Sequence, residues 1–262
     1  MNPTPLRSLL DFAVEVAWRA GRVTLAHYQT GVSVETKPDA SPVTVADREA
    51  ERTVRELIEA RFPEDGILGE EFGEVRPGAQ RRWVVDPIDG TRSFLHGIPF
   101  YGVLLGLEQD DDVLLGVLHF PALDETVYAA RGLGCWWNGR RAHVSGTDRI
   151  EDALVLTTDA EMIEREGRRE GWDRLRFAAK DVRTWGDAYG YALVATGRAE
   201  AMLDPIMAPW DAAAVRPIIE EAGGVFTDWD GRPGHTGGSG VATNAALADR
   251  VRAMLRGDGG AP

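Results

Sequence analysis

The chain has 262 residues, 44% of them hydrophobic, and its 42 acidic residues against 29 Lys and Arg give a net charge of −13. This length supports a large core, in one domain or in two closely packed ones. The negative charge argues against binding to nucleic acid or to an anionic membrane, since both need a basic surface, and no apolar stretch reaches the roughly 18–20 residues of a membrane helix.

The first predicted element is an amphipathic helix at residues 6–28. Its apolar side chains recur at helical spacing, and Asp11 and Glu15 interrupt them, which predicts a surface helix and no signal peptide. The chain has one cysteine, Cys135, which excludes an internal disulfide and is typical of a reducing compartment. We therefore expect a cytoplasmic protein in which Cys135 is a small buried side chain.

The elements that follow alternate between strands and helices. Residues 31–47 predict a strand, an exposed loop and then a second strand or a helix start, and a periodic helix runs from Asp47 to Pro63. The next predicted elements are strands at 82–89, 101–109 and 112–130 and a hairpin at 134–145 turning at Asn138-Gly139. Beyond residue 150 we predict a strand at 153–158, a charged helix in the 160s, an apolar helix at 187–197, a strand at 199–205, a helix at 210–224, strands at 225–231 and 238–244, and a terminal helix with Asn244 as its N-cap.

This alternation predicts a layered α/β or α+β architecture. We expect two halves, an N-terminal α+β half over residues 1–148 and a C-terminal α/β half over residues 149–262.

The stretch WVVDPIDGTRSFLHG, residues 83–97, presents two carboxylates and a hydroxyl at the end of an apolar run. Pro87 lacks an N–H, so we expect the chain to leave the sheet at Asp86. A turn through Ile88 would bring Asp86 and Asp89 to one side, next to a helix start whose N–H groups attract anions. Oxygen ligands without Cys or His favour Mg²⁺ over Zn²⁺. The stretch therefore predicts a metal beside a phosphate, with an Asx-capped turn as the alternative.

The same stretch resembles the first signature of the inositol monophosphatase family. Members of that family are Mg²⁺-dependent, lithium-sensitive phosphomonoesterases. The segment PWDAAAVRPIIEEAGG resembles the second signature of that family. The segments SPVTVAD, LGEEFG, the Asn-Gly hairpin and GDAYGYALVATGRAE occur in the family order, so the resemblance covers about residues 6–255. It implies an α+β fold arranged as an α/β/α/β/α sandwich, commonly as a homodimer.

The resemblance also implies a set of metal ligands for two or three Mg²⁺ per subunit. The residues that match them are Glu70, Asp86 and the Ile88 carbonyl for the first ion, Asp86, Asp89 and Asp211 for the second, and Asp47 for a third, weaker site.

The resemblance assigns catalytic roles as well. Gly90 and Thr91 match the backbone that receives the phosphate, beside the Asp89 carboxylate. Glu70 and Thr91, the latter hydrogen-bonded to Asp47, would orient the attacking water and accept its proton. Since phosphate ester hydrolysis needs an in-line nucleophile and neutralised phosphoryl charge, we expect direct attack by a metal-activated water, without a phospho-enzyme.

Substrate choice is expected in the segment after residue 182. Gly186, Asp187 and Ala188 match a family stretch that touches the organic part of the substrate, and Asp204 matches an acidic residue that binds substrate hydroxyls. Inositol phosphatases commonly have a small neutral residue in place of Asp187. A carboxylate suits a cationic substrate, because a charge-assisted bond is stronger than one to a hydroxyl. The alternative is that Asp187 only caps the helix that follows.

With Asp187, the chain most resembles the histidinol-phosphate phosphatase branch of the family. L-Histidinol phosphate carries an amine and an imidazole, which Asp187 and Asp204 would hold, with Arg183 or Trp185 shaping the wall. Inositol-1-phosphate is the first alternative substrate, and fructose 1,6-bisphosphate and 3′-phosphoadenosine 5′-phosphate are others in the superfamily. A catalytically silent regulatory binding module is the alternative of another class. The complete set of expected ligands argues against it.

Overall fold

The computed structural model describes residues 4–38, 41–110 and 112–257. The α-helices of these residues are α1 (Leu6–His27), α2 (Val45–Arg61), α3 (Thr91–Leu95), α4 (Ala160–Arg165), α5 (Arg169–Ala178), α6 (Asp187–Ala195), α7 (Pro209–Glu221) and α8 (Ala248–Arg256). None of the described helices combines the length and the apolar composition that a bilayer span requires.

The strands form a small hairpin and two sheets. The hairpin pairs β1 (Val34–Thr36) with β2 (Pro42–Thr44). The large sheet, in the order β10-β9-β8-β7-β6-β5-β3-β4, contains β3 (Gly66–Gly69), β4 (Gly73–Val75), β5 (Arg81–Asp89), β6 (Gly102–Gln109), β7 (Asp112–Phe120), β8 (Glu125–Ala130), β9 (Gly134–Trp137) and β10 (Arg140–Arg141). The small sheet, in the order β12-β11-β13-β15-β14, contains β11 (Leu154–Thr157), β12 (Asp181–Arg183), β13 (Ala201–Asp204), β14 (Gly224–Thr227) and β15 (Gly240–Asn244).

The two sheets and three helical layers stack as α/β/α/β/α, as the family resemblance implies. Helices α1 and α2 pack on the outer face of the large sheet, α6 and α7 lie between the sheets, and α5 and α8 cover the far face of the small sheet. Alternation along β5 produces the two faces: Trp83 and Val85 point to α1 and α2, whereas Val84 packs against Ala213 of α7. The large sheet lies before residue 148 and the small sheet after it. The division into two domains at that point stays a prediction.

Helix α7 reaches the large sheet because two strand positions lack a side chain. A Cβ on Gly116 of β7 would lie 2.0 Å from the Ala214 carbonyl oxygen, and one on Gly106 of β6 would lie 3.1 Å from the Ala213 Cβ. Backbone and helix therefore approach closely. This contact fixes the position of the N-terminus of α7, which carries Asp211.

Two local predictions need correction, and a third is confirmed. Helix α2 begins at Val45 instead of Asp47, because Thr44 is its N-cap and Asp47 is the third helical residue, which bonds back to the Thr44 N–H. The terminal helix begins at Ala248, after Leu247, and Asn244 instead accepts the Leu247 N–H while ending β15. The Asn138-Gly139 turn is confirmed, with φ of 45° and 78° at its two positions.

Candidate active site

An acidic cluster lies where β5 of the large sheet meets the N-terminus of α7. Carboxylate oxygens of Asp86, Asp89 and Asp211 lie within 4.8 Å of one another. Asp86 is buried, and the other two are partly buried. Such a convergence of carboxylates is the donor set of a hard cation.

A β-bulge at Pro87 and Ile88 brings the first two aspartates together. The prediction that the chain leaves the sheet at Asp86, which is based on Pro87, is wrong. The chain continues to Asp89, with Asp86 opposite Leu104 and Asp89 opposite Gly102 of β6. In a regular strand, residues three apart point to opposite faces, but the extra residue of the bulge restores a common face. Both carboxylates therefore point toward α6 and α7.

Each carboxylate of the site is held by one backbone N–H. Asp86 Oδ1 accepts from Ile88 at 3.0 Å, and Asp89 Oδ2 accepts from Ala188, in the first turn of α6, at 2.6 Å. Asp211 Oδ2 accepts from Ala208 at 2.9 Å, just before α7. The bonds at α6 and α7 place the negative charges at the positive ends of helix dipoles. They also fix each carboxylate through one oxygen.

Burial and mutual repulsion make the ionised cluster unstable without a cation. Burial, followed by the charges of Glu70 and Asp89, raises the pKa of Asp86 well above its usual range. Burial, then Asp187 and Asp211, does the same to the pKa of Asp89, and burial raises the pKa of Asp211 to about 7. Within the described residues, no Lys or Arg forms an ion pair with these three aspartates.

Asp47 gives an independent sign that the site fits a divalent cation. Its Oδ2 accepts from the Thr44 N–H at 2.8 Å and from the Thr44 hydroxyl at 2.7 Å. Its Oδ1 is buried and has no hydrogen-bond partner among the described residues. A buried acceptor without a donor is costly, and a metal or a metal-bound water would satisfy it. The set of oxygen donors thus fits Mg²⁺ better than a softer ion.

Glu70, the residue after β3, lies beside Asp86 of the acidic cluster, and Lys37 binds it. The Lys37 ammonium lies 2.7 Å from Glu70 Oε1 and 2.5 Å from Glu71 Oε1. Burial raises the pKa of Glu71 to about 7 despite this contact. The sequence analysis did not identify Lys37, although the chain has only one other lysine, Lys180.

Thr91 lies at the start of α3, but its hydrogen bond differs from the expected one. Its hydroxyl donates to the Ile88 carbonyl oxygen at 3.1 Å, and Asp47 instead receives both its bonds from Thr44. The predicted Thr91–Asp47 bond is therefore absent. Gly90 adopts a φ of 77°, which favours glycine, and a Cβ there would lie 2.8 Å from Asp187 Oδ2.

Two adjoining cavities open beside the acidic cluster. The inner cavity, of about 190 Å³, contains the carboxyls of Asp89, Asp204 and Asp211 and has apolar walls from Leu104, Met162, Ile206, Met207 and Val215. The outer cavity, of about 560 Å³, contains Gly90, Thr91 and the exposed Arg92. Asp187 and Thr158 border both cavities.

Asp204 forms the floor of the inner cavity. Its Oδ1 accepts the Thr158 N–H at 3.1 Å, and its Oδ2 accepts the Tyr191 hydroxyl at 3.0 Å. Burial raises the pKa of Asp204 to about 6, although these bonds oppose the rise. The side chain is thus fixed without a protein cation.

Asp187 does not cap helix α6, so that alternative is wrong. It is the first helical residue, and the N-cap is Gly186. The first N–H groups of α6, those of Asp187 and Ala188, donate instead to the Thr158 hydroxyl and the Asp89 carboxylate.

The Asp187 backbone is left-handed, with φ of 52°, and its carboxyl lies 3.4 Å from the Ser93 hydroxyl. Burial raises the pKa of Asp187, whereas Ser93 and the charge of Arg92 lower it. The carboxyl therefore faces the cleft.

Two residues expected at the wall of the cleft lie elsewhere. Arg183, on β12, is exposed and binds the Val182 carbonyl oxygen and Asp181, and it borders neither cavity. Trp185 is 41% exposed and borders neither cavity either. The sequence analysis missed Thr158, Tyr191 and Ser93, whose types carry no signal until the fold brings them to the cleft.

Comparisons with known proteins agree on one family. A sequence model of the inositol monophosphatase family matches residues 5–256. The chain is 46% identical over 248 residues to a histidinol-phosphatase of Chlorobaculum parvum, across 94% of this chain and 96% of that protein. It is 38% identical over 252 residues to a histidinol-phosphatase of Mycobacterium tuberculosis, across 94% and 97%. The crystal structure of the extragenic suppressor protein SuhB from Bartonella henselae superposes with a TM-score of 0.89 at 30% identity, across 95% and 98%.

Proposed function

The chain belongs to the inositol monophosphatase family, and from this premise we propose that it is a Mg²⁺-dependent phosphatase that hydrolyses L-histidinol phosphate to L-histidinol and phosphate. The observation that carries the choice of substrate is a pair of acids beside the acidic cluster, the partly buried Asp187 and the buried Asp204. Identity to two histidinol-phosphatases supports it.

The residues expected to hold the metal are those of the acidic cluster and its neighbours. We assign Glu70, Asp86 and the Ile88 carbonyl to one ion, Asp86, Asp89 and Asp211 to a second, and Asp47 to a third. When bound, the cations supply positive charge that neutralises the phosphoryl oxygens and favours ionisation of water.

The chain itself positions the other reactants. Backbone N–H groups of Gly90 and Thr91 bind the phosphate, since the first N–H groups of a helix have no partner within it. The Glu70 carboxylate, fixed through Oε1 by Lys37, accepts the proton of the attacking water. The Thr91 hydroxyl, 3.1 Å from the Ile88 carbonyl, orients the same water.

The shape of the cleft fits an amino phosphate ester. In L-histidinol phosphate the amine is separated from the ester oxygen by two carbons. Asp187 Oδ2 lies 2.8 Å from the point where a Gly90 Cβ would lie, so it flanks the expected phosphate position. A carboxylate there repels the phosphate unless a cation lies between them, and the substrate amine supplies that cation. The imidazole then reaches Asp204 and Tyr191 between the apolar walls of the inner cavity.

Phosphate release from purified protein tests this proposal. L-Histidinol phosphate, inositol-1-phosphate and p-nitrophenyl phosphate are compared in Mg²⁺ and in EDTA. We expect the highest kcat/KM for L-histidinol phosphate and no turnover in EDTA. A preference for inositol-1-phosphate would favour the alternative substrate. No release from any monoester would favour a binding module without catalysis.

Replacing Asp187 by serine should change specificity more than catalysis. We expect kcat/KM for L-histidinol phosphate to fall about 10-fold to 100-fold, because a charge-assisted hydrogen bond is lost, with a much smaller fall for inositol-1-phosphate. Asp187→Asn is the matched variant, since asparagine also tolerates the left-handed backbone but carries no charge. Equal losses on both substrates, in both variants, would assign Asp187 a structural role only.

The family resemblance also leads us to propose a cytoplasmic homodimer that lithium inhibits. Sedimentation analysis measures the oligomeric state, and an assay of phosphate release in LiCl measures the inhibition.

A further inference from the structure

Thr158, the residue after β11, contacts both acids that we assign to substrate recognition. Its N–H donates to Asp204 Oδ1 at 3.1 Å. Its hydroxyl oxygen accepts the backbone N–H of Asp187 at 2.8 Å. Asp204 lies on the neighbouring strand β13, whereas Asp187 opens helix α6. One residue thus links the two acids across separate elements.

The segment around Asp187 is seated directly on Thr158. A Cβ on Gly186 would lie 2.3 Å from the Thr158 Cα and 2.8 Å from its Cβ, so only glycine permits this approach. Asp187 adopts a left-handed backbone, which is uncommon for a residue with a side chain. Surrounding contacts must hold such a conformation. The bond to the Thr158 hydroxyl is one of these contacts.

We propose that Thr158 is a positioning residue that sets the placement of Asp187 relative to Asp204 and thereby the selectivity for cationic phosphate esters. This inference rests on the proposed function. Without the hydroxyl, the Asp187 N–H loses its acceptor, and no other acceptor for that N–H is found among the described residues. The Asp187 carboxyl would then lose its alignment with the substrate amine. Asp86 keeps its bond to the Ile88 N–H, whereas Asp89 depends on the N–H of Ala188, next to Asp187. A shift of Ala188 would affect both substrates, so the ratio of the two kcat/KM values isolates the effect on Asp187.

Thr158→Val tests the inference, because valine has the shape of threonine without the hydroxyl. Thr157→Val is the matched control, since the Thr157 hydroxyl is buried with no partner among the described residues. Thr158→Ser restores the hydroxyl and should rescue the effect. The ratio of kcat/KM for L-histidinol phosphate to that for inositol-1-phosphate is measured for each variant, with thermal unfolding as a check of folding.

We expect Thr158→Val to lower this ratio about fivefold or more, which is the size of one hydrogen bond, mainly through KM for L-histidinol phosphate. Thr157→Val and Thr158→Ser should keep the ratio within about twofold. An unchanged ratio in Thr158→Val, or an equal fall in Thr157→Val, would overturn the inference. Thr158→Ala replaces the valine variant if the latter does not fold. A wild-type protein without preference for L-histidinol phosphate would refute the proposed function instead.

Discussion

Replacing Asp89 by asparagine will lower kcat/KM about 1000-fold or more, because the amide brings no negative charge to a divalent cation. The amide oxygen still accepts the Ala188 N–H, which lies 2.6 Å from Asp89 Oδ2. We therefore expect an unchanged circular dichroism spectrum. Hydrolysis of L-histidinol phosphate in saturating Mg²⁺ measures the effect. Near-normal turnover would contradict the role of Asp89.

The unfolding temperature distinguishes the loss of a metal ligand from a general disruption of the fold. In EDTA, Asp89→Asn should unfold at the wild-type temperature or above it, because a partly buried charge beside Asp187 and Asp211 is removed. Asp65→Asn is the matched control. Asp65 is also buried, but Arg81 at 2.9 Å and the Trp83 indole at 3.0 Å already satisfy it. That variant should lose stability and keep its activity.

Removal of metal should abolish turnover and destabilise the protein in a pH-dependent way. The pKa of Asp211 is raised from 3.8 to about 7. Between these values the folded state binds more protons than the unfolded state, so stability in EDTA falls as pH rises through this window and levels off above it. Since one pKa unit corresponds to about 1.4 kcal/mol, Asp211 alone contributes a loss on the order of 4 kcal/mol. Asp86 and Asp89 act in the same direction.

Bound Mg²⁺ favours the ionised carboxylates and so opposes this loss. We expect Mg²⁺ to raise the unfolding temperature more at pH 8 than at pH 5.5, because protonated carboxyls bind the ion weakly. Thermal unfolding in Mg²⁺ and in EDTA at both pH values measures this. Asp211→Asn should reduce the difference between the two pH values. If Mg²⁺ stabilised the protein equally at both, the cluster would not be the site of binding.

Sequence patterns predicted most elements because their signals are local. Helical spacing in α1, the Asn138-Gly139 turn and the apolar runs of β6 and β7 each depend on a few neighbouring residues. The prediction failed at Pro87, since a missing N–H can end a strand or sit in a bulge. The pairing of Asp89 with Gly102 of β6, after Pro87, decides between a strand end and a bulge. The role of Asp187, substrate contact or helix cap, likewise could not be decided from local sequence. Its left-handed backbone depends on contacts with Thr158, which is distant in the chain, and on the close approach at Gly186.

The sequence by itself determined the family, the order of the elements and the residue types available for a metal and a phosphate. It placed Asp86, Asp89 and Thr91 within one short segment, where spacing alone predicts proximity. Asp211 and Glu70 joined that set only through the family resemblance. Only the tertiary structure showed that Asp211 lies within 4.8 Å of Asp86 and Asp89, that Lys37 binds Glu70, and that Thr158 contacts both acids of the cleft. The reason is that contacts between distant segments depend on how whole layers pack, and close approaches such as that of α7 to Gly116 leave no periodic pattern in the chain.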